Sequence, residues 1–124
     1  MPGRRAILRG AGALAAALAL PSVPAGAASP RKPPRIRLGD TVGLIEPAGF
    51  SDGPDRIEAV KATIEGMGLV PRVGRHVGAR HGYLAGTDAQ RADDVNAMFA
   101  DPEVRAIFAV RGGWGCARIL PLLD

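Results

Sequence analysis

The chain has 124 residues, of which 47% are hydrophobic, and it carries a formal net charge of +4. That length allows one domain at most, with enough apolar residues for a core. The charge is uneven, because from residue 38 onward nine basic residues face 12 acidic ones. Residues 38–124 are therefore mildly acidic, which argues against nucleic-acid binding. The chain has a single cysteine, Cys116, so an intrachain disulfide is excluded.

Residues 1–27 have the pattern of an export signal peptide. Three arginines precede an Ala/Leu/Gly run at 11–20, and AGA at 25–27 offers a small-residue cleavage site. The apolar run is too short to cross a bilayer, which takes about 20 residues, and no cysteine stands at the cleavage site, so no stable membrane anchor is expected. The pair Arg4 and Arg5 favours a twin-arginine signal, the alternative being a Sec signal that contains two arginines. We expect an exported, extracytoplasmic protein.

The rest of the chain divides into a linker at 28–37 and a partial α/β domain at 38–124. The linker combines three prolines with four basic residues, which favours an extended conformation. Apolar runs predict buried strands at 41–45 and 104–110, and a short strand is predicted between them at 69–73. Between them, apolar spacings of three and four predict two helices, whose inward faces would be Ile57, Val60, Ile64 and Met67, and then Ala92, Val95, Met98 and Phe99. This alternation predicts a parallel sheet with helices on its faces.

Two positions are expected to begin these helices. Ser51 is interpreted as a capping residue of the first helix rather than as a nucleophile, because it has no histidine partner in the sequence nearby. Thr87 or Asp88 is expected to cap the second helix. The segment 75–86 has no regular period and is predicted to be a surface loop.

A glycine-rich elbow follows the third predicted strand and precedes a helical pattern at 116–123. It consists of Arg111, Gly112, Gly113, Trp114 and Gly115. Glycines there permit positive φ and close approach to a ligand, and a helix start favours an anion. The alternative is a tight turn that needs glycine for geometry alone. Cys116 could be activated at a helix start, but the apolar pattern around it favours a small buried residue.

No metal, cofactor or nucleotide site is predicted. His76 and His81 lie in an irregular loop without a recognisable set of further ligands. The first strand is not followed by a Gly-x-Gly-x-x-Gly pattern, and the elbow lacks the lysine of a phosphate-binding loop.

Three ordered blocks resemble one family. They are GDTVGLI at 39–45 with EPA after it, YLAGTD at 83–88 followed by QRADDVN and FADP, and RGGWG at 111–115 followed by CARILP. With these blocks the chain resembles the LD-carboxypeptidases, the serine peptidase family that includes the microcin-immunity peptidases. Trp114 stands where the family signature usually has a tyrosine.

The resemblance implies a flavodoxin-like N-terminal domain, incomplete here, from a hydrolase that acts on murein peptides. Family members cleave the bond between the L centre of meso-diaminopimelate and a terminal D-alanine in murein tetrapeptides, with a Ser-His-Glu triad and no metal. The elbow residues would form the substrate or oxyanion loop. Full-length members can also form dimers.

The resemblance further implies that the triad lies outside this chain. The family's serine belongs to a Gly-(Phe/Tyr)-Ser-Asp turn about one strand beyond residue 124, and its glutamate and histidine belong to a C-terminal domain. Ser51, His76 and His81 therefore inherit no catalytic role, and we expect the chain alone to be an inactive fragment or truncated product. The alternative is a non-catalytic remnant that binds a peptide or a partner.

The export signal gives a first prediction. Replacing Arg4 and Arg5 by lysine should block export almost completely, because the twin-arginine translocase reads the pair, whereas Sec requires only positive charge. The measurement is the fraction of mature protein in the periplasm. Undiminished export of the Lys-Lys variant would rule out the twin-arginine assignment.

Overall fold

The computed structural model describes residues 32–124, so the predicted signal peptide lies outside the described residues. The folded unit Pro33–Asp124 contains three strands, three α-helices and a short 3-10 helix within that range. In chain order these are β1 Thr41–Ile45, α1 Pro54–Gly66, β2 Val70–Val73, α2 Asp88–Ala100, β3 Val104–Ala109, α3 Cys116–Ile119 and the 3-10 helix Leu120–Leu122. Within residues 32–124 no helix has both the length and the apolar character needed to cross a membrane.

The sheet is parallel and has the order β2-β1-β3, which confirms the predicted α/β architecture. The chain first moves from β1 to β2 on one side, then crosses to β3 on the other side of β1. This change of direction places a crevice beyond the carboxyl ends of β1 and β3, where open α/β sheets bind their ligands.

Alternation along β1 divides the core into two layers. Val42 and Leu44 pack with Ile64 of α1, whereas Ile45 packs with a second cluster on the α2 side. That second cluster contains Ala92, Val95, Met98 and Ile119. A strand covered on both faces must be apolar throughout, which is why the run at 41–45 was recognisable in the sequence.

The two long helices begin in different ways. Thr87 caps α2 with a complete capping box, since its hydroxyl accepts from the Gln90 N–H and the Gln90 side chain accepts from the Thr87 N–H. The cap of α1 is Gly53, which makes no side-chain bond, and Pro54 follows it. The prediction that Ser51 caps α1 is therefore wrong, because Ser51 lies outside the helix start and is buried.

Several predicted core positions prove to be exposed. Met67 is 60% exposed because α1 has already ended at Gly66, and Phe99 is 78% exposed at the end of α2. The third strand ends at Ala109 and is only partly covered, with Phe108 at 48% exposure, since it lies at an edge of the sheet. The single helix predicted at 116–123 is one α-helical turn followed by a 3-10 turn.

The close approach of α2 to β1 gives a second prediction. A Cβ on Gly43 would lie 2.7 Å from the Met98 sulfur, so Gly43→Ala should lower the free energy of unfolding by about 1–3 kcal/mol through overpacking. Urea unfolding measures this. Adding Met98→Ala should give a double variant that loses less than the sum of the two single changes.

Gly66→Ala is the matched control, since a Cβ at Gly66 meets nothing within 4 Å, and the change should be neutral or slightly stabilising. Equal losses for the two glycine variants, with strict additivity in the double variant, would contradict the packing argument.

Candidate functional site

Three segments meet beyond the carboxyl ends of β1 and β3, namely residues 46–50, 81–86 and 111–115. The Val110 N–H donates to the Ile45 carbonyl at 2.9 Å, which joins the ends of the two strands. The Ala85 N–H donates to the Ala48 carbonyl at 2.9 Å, which brings the middle segment alongside. The crevice expected from the topology is therefore built from parts of all three sequence blocks that resemble the family.

The elbow combines one glycine required by packing with two that leave space open. Gly115 has φ +105° and is buried, and a Cβ there would lie 2.5 Å from Cδ2 of Leu84. Gly113 also has positive φ, at +110°, but neither it nor Gly112 would bring a Cβ within 4 Å of another residue. The backbone of Gly112 and Gly113 is thus exposed and open to an approaching ligand, whereas Gly115 fixes the elbow from behind.

A buried arginine holds the elbow against the loop after β1. The side chain of Arg91 is fully buried, and its Nη1 donates to the carbonyls of Pro47 at 2.6 Å and Gly115 at 3.0 Å. Its Nη2 donates to the Asp88 carboxylate one helical turn earlier. The guanidinium therefore connects β1, α2 and the elbow. Sequence reasoning missed this residue, although the spacing of Asp88 and Arg91 in a helix permits such a pair.

Asp88 accepts hydrogen bonds from two arginines. Besides Arg91 it accepts from Arg118 of α3, with Nη2 at 2.9 Å from Oδ2. The bonds from Arg118 hold the pKa of the Asp88 carboxyl below its ordinary value and raise the pKa of Arg118. The negative charge of Asp88 thus offsets the buried Arg91 and ties α3 to the start of α2.

Aromatic rings and guanidinium groups line the outer side of the crevice. Tyr83 and Trp114 form an edge-to-face pair with ring centroids 5.9 Å apart, and both are more than half exposed. Arg111 lies over the Tyr83 ring at 5.9 Å and donates from Nη1 to the Phe50 carbonyl at 3.0 Å. Arg80 stacks on the Phe50 ring at 4.1 Å. Of the predicted elbow residues, Arg111 and Trp114 therefore present their side chains at this surface.

Two buried carboxylates fix the loop that follows β2. Glu46, 3% exposed, accepts from the Gly78 N–H at 2.9 Å. Asp94 accepts from the His76 N–H with both oxygens, at 3.1 and 3.0 Å, and burial raises the pKa of its carboxyl. A Cβ on Gly74 would lie 2.6 Å from Asp94 Oδ2, so this approach requires glycine.

The structure brings His76 close to two aspartates, which the sequence did not reveal. Its Nε2 lies 3.1 Å from Asp93 Oδ2, and ligand atoms of His76, Asp93 and Asp94 lie within 4.8 Å of one another. Both Asp94 oxygens already accept from the backbone at the end of β2, which is a structural role. His81 is exposed and lies apart from this group.

Ser51 and Cys116, the two side chains weighed above as possible nucleophiles, have no histidine partner among the described residues. The Ser51 hydroxyl is buried and has no hydrogen-bond partner within residues 32–124. Cys116 begins α3 and is half-buried rather than fully buried as predicted. The open groups of the crevice are instead the elbow backbone and the Arg111 guanidinium.

A parallel sheet with an open glycine elbow at its switch point places the chain in the α/β class, whose members bind ligands at such a point. Comparison with known proteins identifies the family. Residues 42–124 match the family model described as the LD-carboxypeptidase N-terminal domain, and the chain belongs to that family.

Named relatives agree with the family. The chain is 43% identical to a murein tetrapeptide carboxypeptidase of Pseudomonas aeruginosa, over 67% of this chain and 27% of the relative. It is 40% identical to a probable murein peptide carboxypeptidase of Bacillus subtilis, over 75% of this chain and 29% of the relative. The chain therefore spans less than a third of these relatives.

Solved structures show the same fold. A mutant of the microcin C7 self-immunity protein in complex with adenosine monophosphate superimposes with a TM-score of 0.69 at 23% identity, covering 77% of this chain and 29% of that one. The muramoyltetrapeptide carboxypeptidase of Oxalobacter formigenes superimposes with a TM-score of 0.59 at 26% identity, covering 68% and 28%.

The shared carboxylate gives a third prediction, on pH dependence. Because the pKa of Asp88 is lowered in the folded state, its stabilising contribution is present above the ordinary aspartate pKa of 3.8 and is lost as the pH falls through the folded-state pKa. Asp88→Asn should therefore unfold more easily than the parent at pH 7. The difference should begin to shrink as the pH falls below 3.8 and should disappear only below the lower folded-state pKa, where the parent carboxyl is neutral in the folded protein as well. Thermal melts across this range measure it.

Glu58→Gln is the control, since Lys61 is the one ion-pair partner of Glu58 within residues 32–124 and such an exposed pair contributes little. A destabilisation by Asp88→Asn that is the same at pH 7 and in acid would show that the charge of Asp88 is not what matters.

Proposed function

We propose that this chain is the N-terminal part of a serine-type LD-carboxypeptidase. The substrate would be a murein tetrapeptide, cleaved between the L centre of meso-diaminopimelate and the terminal D-alanine. The observation that carries the proposal is the family match through residues 42–124, which includes an elbow whose backbone is open at Gly112 and Gly113. The murein carboxypeptidase relatives supply the substrate class.

In the proposed reaction, water is added across the peptide bond in two steps. A serine attacks the carbonyl and releases D-alanine, and water then hydrolyses the acyl-enzyme, with a histidine moving protons and a glutamate orienting the histidine. These three groups would come from outside residues 38–124. The part of this chain is the elbow, where the N–H groups of Gly112 and Gly113 would stabilise the oxyanion or contact the substrate. No metal or other cofactor enters the scheme.

The site of action we propose is extracytoplasmic. Its support is the twin-arginine pattern at the start of the chain, which lies outside the described residues. Export would place the enzyme in the compartment that contains murein. Pairing of full-length copies, as in other members of the family, is part of the same proposal.

A non-catalytic peptide-binding role is the second candidate. It is favoured by the surroundings of the described serine and histidines, since the Ser51 hydroxyl has no partner within residues 32–124 and His76 bonds to Asp93. No nucleophile–base pair is formed by these residues. A peptide could still bind at the open elbow without being cleaved.

The fourth prediction separates these candidates. The chain by itself should release no measurable D-alanine from a murein tetrapeptide, whereas a chimera with the remaining portion of the Pseudomonas aeruginosa relative should hydrolyse it. Gly113→Val in the chimera should abolish hydrolysis, because valine blocks the open backbone and disfavours φ +110°. Release of D-alanine is measured by chromatography.

Gly39→Val is the matched control, since Gly39 has φ +85° and equally open surroundings but precedes β1 at the opposite end of the sheet. It bears the same backbone strain and should keep activity if the protein stays folded. Hydrolysis by the isolated chain would show that the triad assignment is wrong. A folded chimera that stays active with Gly113→Val would show that the elbow is only a turn and has no role in hydrolysis.

A further inference from the structure

Arg111 has no acidic partner among the described residues, unlike Arg91 and Arg118 near the same crevice. Arg91 and Arg118 both bond to Asp88, and on the far side of the sheet Arg72 bonds to Asp101 and Glu103. The one described hydrogen bond of Arg111 runs from Nη1 to the Phe50 carbonyl at 3.0 Å. A guanidinium carries five N–H donors, so most of its hydrogen-bonding capacity is directed to the exposed surface.

The guanidinium is nevertheless held in place. It lies over the Tyr83 ring at 5.9 Å, and a Cβ built on Gly49 would be only 3.3 Å from its Nε. Gly49 thus leaves room for the side chain to lie against the loop after β1. A side chain already positioned by a carbonyl, a ring and a backbone loses little entropy when a ligand binds.

The surroundings of Arg111 favour an anion. Arg80 stacks on the Phe50 ring at 4.1 Å, so two guanidinium groups share this loop residue, while neither bonds to a carboxylate within residues 32–124. Gly112 and Gly113 come next in the chain, with their backbone open on the same edge of the sheet. A planar guanidinium beside free N–H groups is the arrangement that binds a carboxylate through charge-assisted hydrogen bonds.

We propose that Arg111 binds the terminal carboxylate of the peptide substrate. This inference rests on the function proposed above and gives the elbow two separate tasks. The backbone of Gly112 and Gly113 faces the reacting carbonyl, and the Arg111 side chain selects peptides that end in a free carboxylate. The residue would therefore make the enzyme a carboxypeptidase rather than an endopeptidase.

The first test measures binding in the full 124-residue chain and needs no hydrolysis. Amide NMR spectra are recorded during titration with N-acetyl-D-alanine, and in parallel with N-acetyl-D-alaninamide, which has the same shape without the charge. The acid should shift the signals of Gly112, Gly113 and the Arg111 Nε–H, and the amide should not. Arg111→Gln should weaken binding of the acid roughly tenfold, as loss of a charge-assisted hydrogen bond does, and Arg111→Lys should weaken it less.

A control variant separates a specific contact from a general positive field. Arg105→Gln removes an exposed charge of β3 and should bind the acid within about twofold of the parent. Arg80→Gln removes the neighbouring guanidinium and should weaken binding less than Arg111→Gln does, because only Arg111 is proposed to contact the carboxylate. Equal shifts with acid and amide, no shift with either, or full binding by a folded Arg111→Gln variant would overturn the proposal. If Arg111→Gln fails to fold, the acid–amide comparison in the parent and the Arg111→Lys variant decide.

The second test uses the chimera described above and distinguishes this inference from the proposed function. Arg111→Gln should raise KM for a tetrapeptide acid and leave KM for the corresponding tetrapeptide amide unchanged, whereas a merely structural role would affect both alike. A chimera that hydrolyses both substrates equally well before and after the change refutes the role of Arg111 and leaves the function standing. A chimera that hydrolyses neither, together with acid-selective binding in the first test, refutes the function and leaves the carboxylate site standing.

Discussion

The arrangement of the crevice depends on the buried guanidinium of Arg91. A charge removed from water must be paired and hydrogen-bonded. Both Nη groups of Arg91 are bonded, to the carbonyls of Pro47 and Gly115 and to the carboxylate of Asp88, while its Nε has no partner within residues 32–124. Each bond comes from a different part of the fold. A shift of the elbow relative to β1 would leave a buried charge or carbonyl without a partner, so the position of the elbow is fixed from behind.

Because Arg91 holds the elbow from its buried side, the solvent-facing side of the elbow can remain open. Gly115 has its backbone carbonyl bound by Arg91 and its Cα packed near Leu84, whereas Gly112 and Gly113 face no other residue. Carboxylates play the same part for the neighbouring loop, where Glu46 and Asp94 bind backbone N–H groups. Binding groups that are exposed but held by rigid surroundings are what a recognition site requires.

The sequence predicted the elements well and the side-chain network poorly. Apolar runs, glycines and a capping residue at Thr87 or Asp88 are local signals, and the three strands and the two long helices they predicted are present. Burial of Phe99 was predicted from helical spacing alone, which does not tell where the partner surface ends. The role of Arg91 was missed because its contacts lie 24 and 44 residues away, and a charged residue in a helix is ordinarily solvated.

The net charge of residues 38–124 differs from the local charge at the crevice. Residues 38–124 contain nine basic and 12 acidic residues, which disfavours nucleic acid. Yet two of the described acids near the crevice are compensated locally, since Glu46 is buried as a backbone acceptor and Asp88 bonds to two arginines. Exposed charges act over roughly 8–10 Å in physiological salt, so Arg111 and Arg80 affect the field at the crevice more than acids at the far end of the sheet do. An acidic domain can therefore present a local site for an anionic peptide.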